Sequence, residues 1–479
     1  MKKTNRISGG FECFVSGAIF KIVYLLLVLI SFNTYALDVP YLKTILVGAS
    51  VTLGGIVLLY RVVHFKRFIK MKYIWILFAF LVSYVISMLL NLKYGFMEPL
   101  QAMVWMTLQY FILFLKDPAQ PREKSQKEFR VLSWIFCGYM LCCSVLSFLQ
   151  LLFNYTEIDF YRQPVKLAGV VWGRLWGVYT DPNYAAVLAI AAAFLGIYLV
   201  KCYKSIFVKI FCGINAAFQI LYIAFSDSRT GLVCLAAGGA IYAYARLVQL
   251  PKLRQKRAAA QAISCITAVC VLCILFVVPK GIKYSYNKII TLSSASPSNP
   301  SEGEIQTGQN DKVIGREPEL EKDVSNRRFD LWKSGLEIYR LKPVFGVSIF
   351  NMVAFAQEQL PSTYLVNNDM GVFDSLHNAF FNVLVGQGIV GFVIIMIFLV
   401  LAAVFILKSF LKLKPERHYE DNAKIAALMA IVVSLAVSML FVGDIIYLNS
   451  GAAFLFWNIL GILIFHFTAE GREENHAGS

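Results

Sequence analysis

Apolar residues along this chain fall in long blocks rather than in alternation. Twelve blocks, at roughly 15–36, 42–62, 72–92, 95–115, 130–153, 183–200, 205–225, 229–247, 261–279, 387–408, 423–442 and 450–467, are separated by polar segments. About 20 helical residues rise roughly 30 Å, the thickness of a hydrocarbon core. The short alternating segments of a transmembrane β-barrel are absent. The pattern predicts an all-α, polytopic integral membrane protein with about 12 transmembrane helices and a large extracytoplasmic loop before span ten. Lys2, Lys3 and Arg6 precede the first block, as in a signal peptide, but the apolar stretch is long and the cleavage signal weak. It is read as a retained span.

The polar segments set the orientation. Arg61, Lys66, Arg67, Lys70 and Lys72 lie between spans two and three; Lys116, Arg122, Lys124, Lys127 and Arg130 lie between four and five. Lys252, Arg254, Lys256 and Arg257 follow span eight, and Lys408, Lys412, Lys414 and Arg417 follow span ten. Every second connection is basic, which places these in the cytoplasm together with both termini, in a multi-pass protein of the plasma (inner) membrane. Composition agrees: 58% of residues are hydrophobic and 15% charged, against roughly 25% charged in soluble domains. The net charge of +16 is accounted for by loops facing anionic lipid headgroups, with no nucleic-acid partner needed. The ten cysteines lie mainly in or beside spans, without zinc-like spacing, and are read as small buried hydrophobes.

The expected organisation is a nine-span unit (1–279), a large outer loop (280–376), three further spans (377–467) and a cytoplasmic tail (468–479). Within the loop, residues 291–326 are rich in Ser, Pro, Gly and Glu and are expected to be largely disordered. Residues 327–342 read as a helix with one apolar stripe formed by Phe329, Trp332, Leu336 and Tyr339, ended by Lys342-Pro343.

Candidate chemistry collects on the outer side. Of five histidines, only His377 in DSLHNAF (374–380) lies there, beside Asn378. Arg229, in SDSRTG (226–231), opens an otherwise apolar span. An arginine in mid-bilayer costs roughly 2.5–3.5 kcal/mol on insertion scales. Snorkelling is the bland explanation for an edge arginine, but the short polar residues around Arg229 suit a turn that aims the guanidinium. Arg174, in GRLWGVYTDPN (173–183), occupies a similar edge position, followed by Asp181-Pro182-Asn183, a turn and helix start. Two arginines and a histidine on one face suit an anionic, phosphorylated ligand, because guanidinium grips phosphate in bidentate fashion.

These pieces, RLWGVYTDPN, SDSRTG, RRFDLWKSGLEIYRLKPVFG (327–346) and LHNAFFNVLVGQGIVG (376–391), occur in an order that resembles the O-antigen ligase and O-antigen polymerase family of membrane glycosyltransferases. The resemblance covers roughly 170–465. It implies a glycan donor carried on undecaprenyl diphosphate, a glycan acceptor, and transfer at the outer face without metal or other cofactor. It implies donor-diphosphate contacts from Arg174, Arg229 and one of the adjacent Arg327 and Arg328, a catalytic role for His377, and supporting roles for Asn378, Asp181 and Asn183. Other polysaccharide-assembly membrane proteins are the expected partners. The chemistry is consistent: departing diphosphate gains negative charge that fixed cations can stabilise, and a sugar hydroxyl benefits from a histidine base. Polymerisation of cell-surface polysaccharide repeat units, of O-antigen or capsule type, is the expected reaction, with ligation of the finished glycan to a different acceptor as the alternative. A flippase for lipid-linked sugar is the rival of another class; it would place ionisable groups near mid-membrane, whereas mid-span regions here are nearly free of charge. A polysaccharide-binding scaffold would leave Arg229 and His377 without a joint role.

Overall fold

The structure is a computed structural model and describes residues 17–162, 165–250, 257–294, 313–315, 327–369, 371–413 and 415–477. Most of the stretch 291–326 lies outside the described residues. The helices of the bundle are α1 (Ala18–Ile30), α2 (Leu42–Val63), α3 (Ile74–Leu90), α4 (Met97–Leu108), α5 (Arg122–Leu152), α6 (Pro182–Cys202), α7 (Ile206–Phe225), α8 (Arg229–Val248) and α9 (Arg257–Ser294). After them come α10 (Arg328–Leu341), the short α11 (Met352–Gln359), α12 (Ala379–Lys412), α13 (Pro415–Ser438) and α14 (Gly451–Ala477).

Among the described residues, nine helices are long and apolar enough to cross a membrane. Two more, α1 and α3, are apolar but shorter. The remaining span is composite: α4 runs directly into a π-helical stretch, Gln109–Phe114. Each of the twelve expected spans thus has a helical counterpart, and the protein is an all-α, polytopic integral membrane protein.

Two spans differ from their expected outlines. The span expected at 261–279 is part of α9, which has 38 residues, a length of roughly 57 Å that exceeds any hydrocarbon core. Its far end stands clear of the bundle's apolar zone and packs beside the site described below. The span expected at 387–408 begins at Ala379 and is broken at Gly388, where φ is 61° and ψ −163°. The freed backbone groups are taken up by the segment after α10. Ile389 N–H donates to Pro343 O (2.8 Å), Val347 N–H to Val385 O (2.9 Å) and Ser348 N–H to Gly386 O (2.9 Å). Ser87 Oγ of α3 donates to the same Gly386 carbonyl at 2.6 Å. Broken helices survive in a bilayer only where protein supplies such partners.

Between α5 and α6 the chain forms a small antiparallel sheet, β1 (Thr156–Asp159), β2 (Lys166–Val171) and β3 (Arg174–Gly177), in the order β1-β2-β3. The twelve spans alternate in direction. This sheet, the α7–α8 turn, the α9–α12 connection and the α13–α14 connection therefore share one end of the bundle, the site end. The basic loops share the other. Of the cysteines, Cys137, Cys143, Cys212 and Cys234 are buried as expected, but Cys142, Cys265, Cys270 and Cys273 are on the outside of the bundle.

Candidate functional site

The site begins at the start of α6. Asp181 caps this helix, accepting from Tyr184 N–H at 2.7 Å, and Pro182 fills its first position. Asn183 then faces the α7–α8 turn. Its Oδ1 accepts from Arg174 Nη2 (2.8 Å) and from Ser228 Oγ (3.1 Å). Arg174 Nε donates to Ser226 O at 2.8 Å. Ser228 Oγ in turn accepts from Gly231 N–H (3.0 Å) and caps α8, whose first residue is Arg229. Arg174 is buried (7% exposed), so the structure places it as a clamp joining β3, α6 and the turn that aims Arg229. Lys283, on the site-end extension of α9, pairs with Asp227 at 2.9 Å and braces the same turn.

Arg229 lines a cavity of about 220 Å³ with Thr230 and Val233 of α8, Arg328, Phe329 and Trp332 of α10, and Phe441 of the α13–α14 connection. The Arg328 guanidinium stacks over Phe441, 5.6 Å from the ring centroid. The structure thus separates the two adjacent arginines. Arg327 lies outside the cavity, exposed, with φ 63° and its Nη1 3.4 Å from Tyr364 Oη.

The α10 stripe differs from the sequence expectation. The buried face is Leu331, Ser334, Gly335 and Ile338, whereas Phe329 is 67% exposed and Leu336 38%. Both stripes have helical spacing, so periodicity alone does not choose between them. Close approach decides. A Cβ on Gly335 would stand 2.8 Å from Leu376, so this face alone lets α10 sit on the chain leading to α12. Trp332 stacks on Phe381 (5.1 Å, 11°) and donates from Nε1 to Leu376 O (3.1 Å), which fixes α10 against the histidine turn.

His377 immediately precedes the cap of α12. Its backbone is left-handed (φ 49°), a conformation uncommon for non-glycine residues. Asn378 is the cap: Oδ1 accepts from Phe380 and Phe381 N–H (2.9 and 3.2 Å), and Nδ2 donates to Leu440 O (3.1 Å). Asn378 therefore supports His377 through the backbone and not by orienting its ring. The imidazole is reached by solvent yet recessed among protein atoms. That surrounding and the nearby Arg328 push its pKa below 6.5, against the weaker opposing pull of Asp181 and Asp374. Neutral imidazole is the form that accepts a proton.

Sequence reasoning missed Asp444. It lies in the α13–α14 connection, three residues from Phe441, and its carboxyl is raised to about 7 by burial and by the charges of Asp181 and Asp374. Nothing in FVGDIIY marks it, because its environment is assembled from three distant segments. Among the described residues, no three His, Cys, Asp or Glu side chains form a metal-ligating group.

The structure therefore brings Arg229 and Arg328 to one cavity. It sets His377 within electrostatic reach of Arg328 and Asp181, uses Arg174, Asn183 and Asn378 as supports, and leaves Arg327 outside. No curated protein matches the chain. Residues 214–396 match the family model described as O-antigen ligase, a narrower span than the motifs suggested, since Arg174 and the sheet precede it. The matched segment runs from within α7 into α12 and takes in Arg229, Arg328 and His377; over that segment this membrane protein is similar to the O-antigen ligase family.

Proposed function

We propose that the protein is a glycosyltransferase that moves a glycan from undecaprenyl diphosphate to the next lipid-linked repeat unit at the outer face of the plasma membrane, polymerising a cell-surface polysaccharide of O-antigen or capsule type. One observation carries the reading: a cavity whose polar wall is Arg229 and Arg328 and whose apolar wall is Phe329, Trp332 and Phe441, beside a histidine whose pKa is pushed down by its surroundings and by Arg328. The arginines suit a diphosphate, and the aromatic wall suits the isoprenoid chain leaving it. Arg174 belongs to the donor site through the turn it clamps.

In the reaction the acceptor hydroxyl attacks the anomeric carbon of the donor sugar. His377 takes the hydroxyl proton as the new glycosidic bond forms. The bond from that carbon to the diphosphate oxygen breaks, and the electron pair leaves with the diphosphate. Arg229 and Arg328 stabilise the charge that develops there, the role a divalent cation has in other transferases. The reaction thus needs no metal.

The description of the matched family, O-antigen ligase, favours a second reading, transfer of the finished glycan to a different acceptor. Purified full-length protein supplied only with lipid-linked repeat units separates the two. Lengthening chains with release of undecaprenyl diphosphate support polymerisation. Reaction only after a different acceptor is added makes the protein a ligase. Movement of the lipid-linked sugar between leaflets without transfer makes it a flippase.

A further inference from the structure

β2 and β3 are joined by two residues, Trp172 and Gly173, both with positive φ (50° and 64°). Such a two-residue hairpin turn favours Asn-Gly or Asp-Gly, because positive φ strains most side chains. Here the first position is a tryptophan, and it is 58% exposed. Backbone strain of this kind is worth about 1–3 kcal/mol and collects at functional positions. Burial does not explain it, since the ring is mostly outside.

The turn is also held firmly. Gly315 N–H donates to Gly173 O at 2.9 Å. A Cβ on Gly173 would lie 2.5 Å from Gly315 O. Gly315 is itself anchored through Ile314, which is fully buried and whose N–H and C=O both bond the Asn287 side chain on α9 (3.0 and 2.6 Å).

The Trp172 ring meets Trp176 edge to face, with centroids 5.9 Å apart and planes at 79°. Trp176 and Arg174 are two residues apart on β3, so they leave the strand on the same face. The other face, Leu175 and Gly177, is turned inward; Gly177 closes on Ser147 of α5. Trp176 Nε1–H is enclosed and has no acceptor among the described residues. An exposed indole face, a second indole at right angles, and an enclosed donor therefore form a corner beside Arg174. Through Asn183 and Ser228 that arginine is continuous with the cap of Arg229.

We propose that Trp172 and Trp176 form a subsite for the sugar ring attached directly to the donor diphosphate. The C–H face of a pyranose packs on an exposed aromatic ring, and the Trp176 indole, at right angles to Trp172, bounds the place where it would sit. This rests on the donor reading above and adds to it what recognises the glycan rather than the lipid carrier. A membrane-interface anchor, the other common use of an edge tryptophan, is the alternative outcome.

The test uses full-length protein in nanodiscs and two ligands, undecaprenyl diphosphate bearing one repeat unit and bare undecaprenyl diphosphate. Trp172→Asn is the informative variant, because Asn-Gly suits the turn and keeps the hairpin while removing the ring. The variant should bind the glycosylated donor about 3- to 10-fold more weakly, the range expected for one lost aromatic contact, and bind the bare carrier as wild type does. Trp172→Tyr should recover most of the difference. Arg229→Ala should weaken both ligands. Equal loss for both ligands in Trp172→Asn, no loss for either, or a change confined to membrane insertion would overturn the subsite. Wild-type protein that binds neither ligand would instead overturn the donor reading itself.

Discussion

Both ends of the helix bundle hold buried or half-buried cations, and the two sets are used differently. At the basic-loop end, Arg61 donates to the carbonyls of Phe111, Ile112 and Leu115, closing the π-helical end of the α4 span. Lys116 reaches Leu113 O and Asn458 Oδ1, Lys21 pairs with Glu128 at 3.3 Å, and Arg67 pairs with Asp117. These cations are matched to oxygens of the protein itself. At the site end, Arg229 and Arg328 line a cavity with an apolar wall. Arg174 stands between the two types: it is at the site end, but it is buried against Ser226 O and Asn183. A desolvated cation must find oxygen somewhere. Buried wholly against such oxygens, a charge builds the fold; a charge that also adjoins a cavity can meet a ligand.

The largest effect is expected at His377, the proposed base. His377→Ala should lower kcat about 10²–10⁴-fold, as for lost general-base catalysis, while donor affinity in a direct binding assay stays close to wild type. Equal loss of binding and turnover would make His377 a ligand or a structural residue.

The arginines test the comparison directly. Arg229→Ala and Arg328→Ala should each lower kcat/KM by about 10²–10³, the usual loss on removing a charge-stabilising donor. Lysine should restore little, because a point charge cannot reproduce a guanidinium fork. Arg61→Ala should behave in the opposite way. It strands backbone carbonyls, a destabilisation of about 1–3 kcal/mol, visible as a lower melting temperature with near-normal turnover per folded molecule. A variant at Arg61 that folds well but loses turnover would erase the distinction between the two ends.

Titration sharpens the account of the site end. His377 is held below 6.5, in part by Arg328, so kcat/KM should fall on the acid side of that value as the imidazole gains its proton. Arg328→Gln removes the positive neighbour and should move this limb to higher pH. Asp444 has the opposite linkage. Its carboxyl is raised to about 7 from 3.8, so the folded state binds the proton more tightly than the unfolded one. Stability should be highest below 3.8 as far as this group is concerned and decline as pH rises towards 7. Asp444→Asn should flatten that slope in melting temperature measured from pH 5 to 8.

The smallest effects are expected at Arg327 and on chelation. Arg327→Ala should leave turnover near wild type, since the residue lies outside the cavity; a loss as large as that of Arg328→Ala would reverse the choice between them. EDTA should not reduce activity. Activity lost on chelation and restored by magnesium or manganese would show that the arginines do not stand alone.

Much of the site was legible because its residues break local rules. Arg229 opens an apolar span, His377 is isolated from the other histidines, and Asp181-Pro182-Asn183 reads as a helix start. The choice between Arg327 and Arg328 was not legible, because Arg327 is the left-handed residue before α10 and Arg328 its first helical residue, and the directions this gives them have meaning only against α8 and Phe441. The service of Asn378 as a cap rather than a ring partner depends on Leu440, sixty-two residues away.

The sequence by itself determined that this chain crosses a membrane many times, which of its loops are basic, and which segments hold the candidate residues. Span length and charge are one-dimensional properties that lipid and headgroups read directly. Only the tertiary structure decided which stripe of α10 is buried, where α12 breaks, that a short sheet carries Arg174, and that Asp444 joins the site. Each of these depends on how closely distant segments approach: Gly335 on Leu376, the 343–348 segment on the Gly388 break, and three separate segments around one carboxyl.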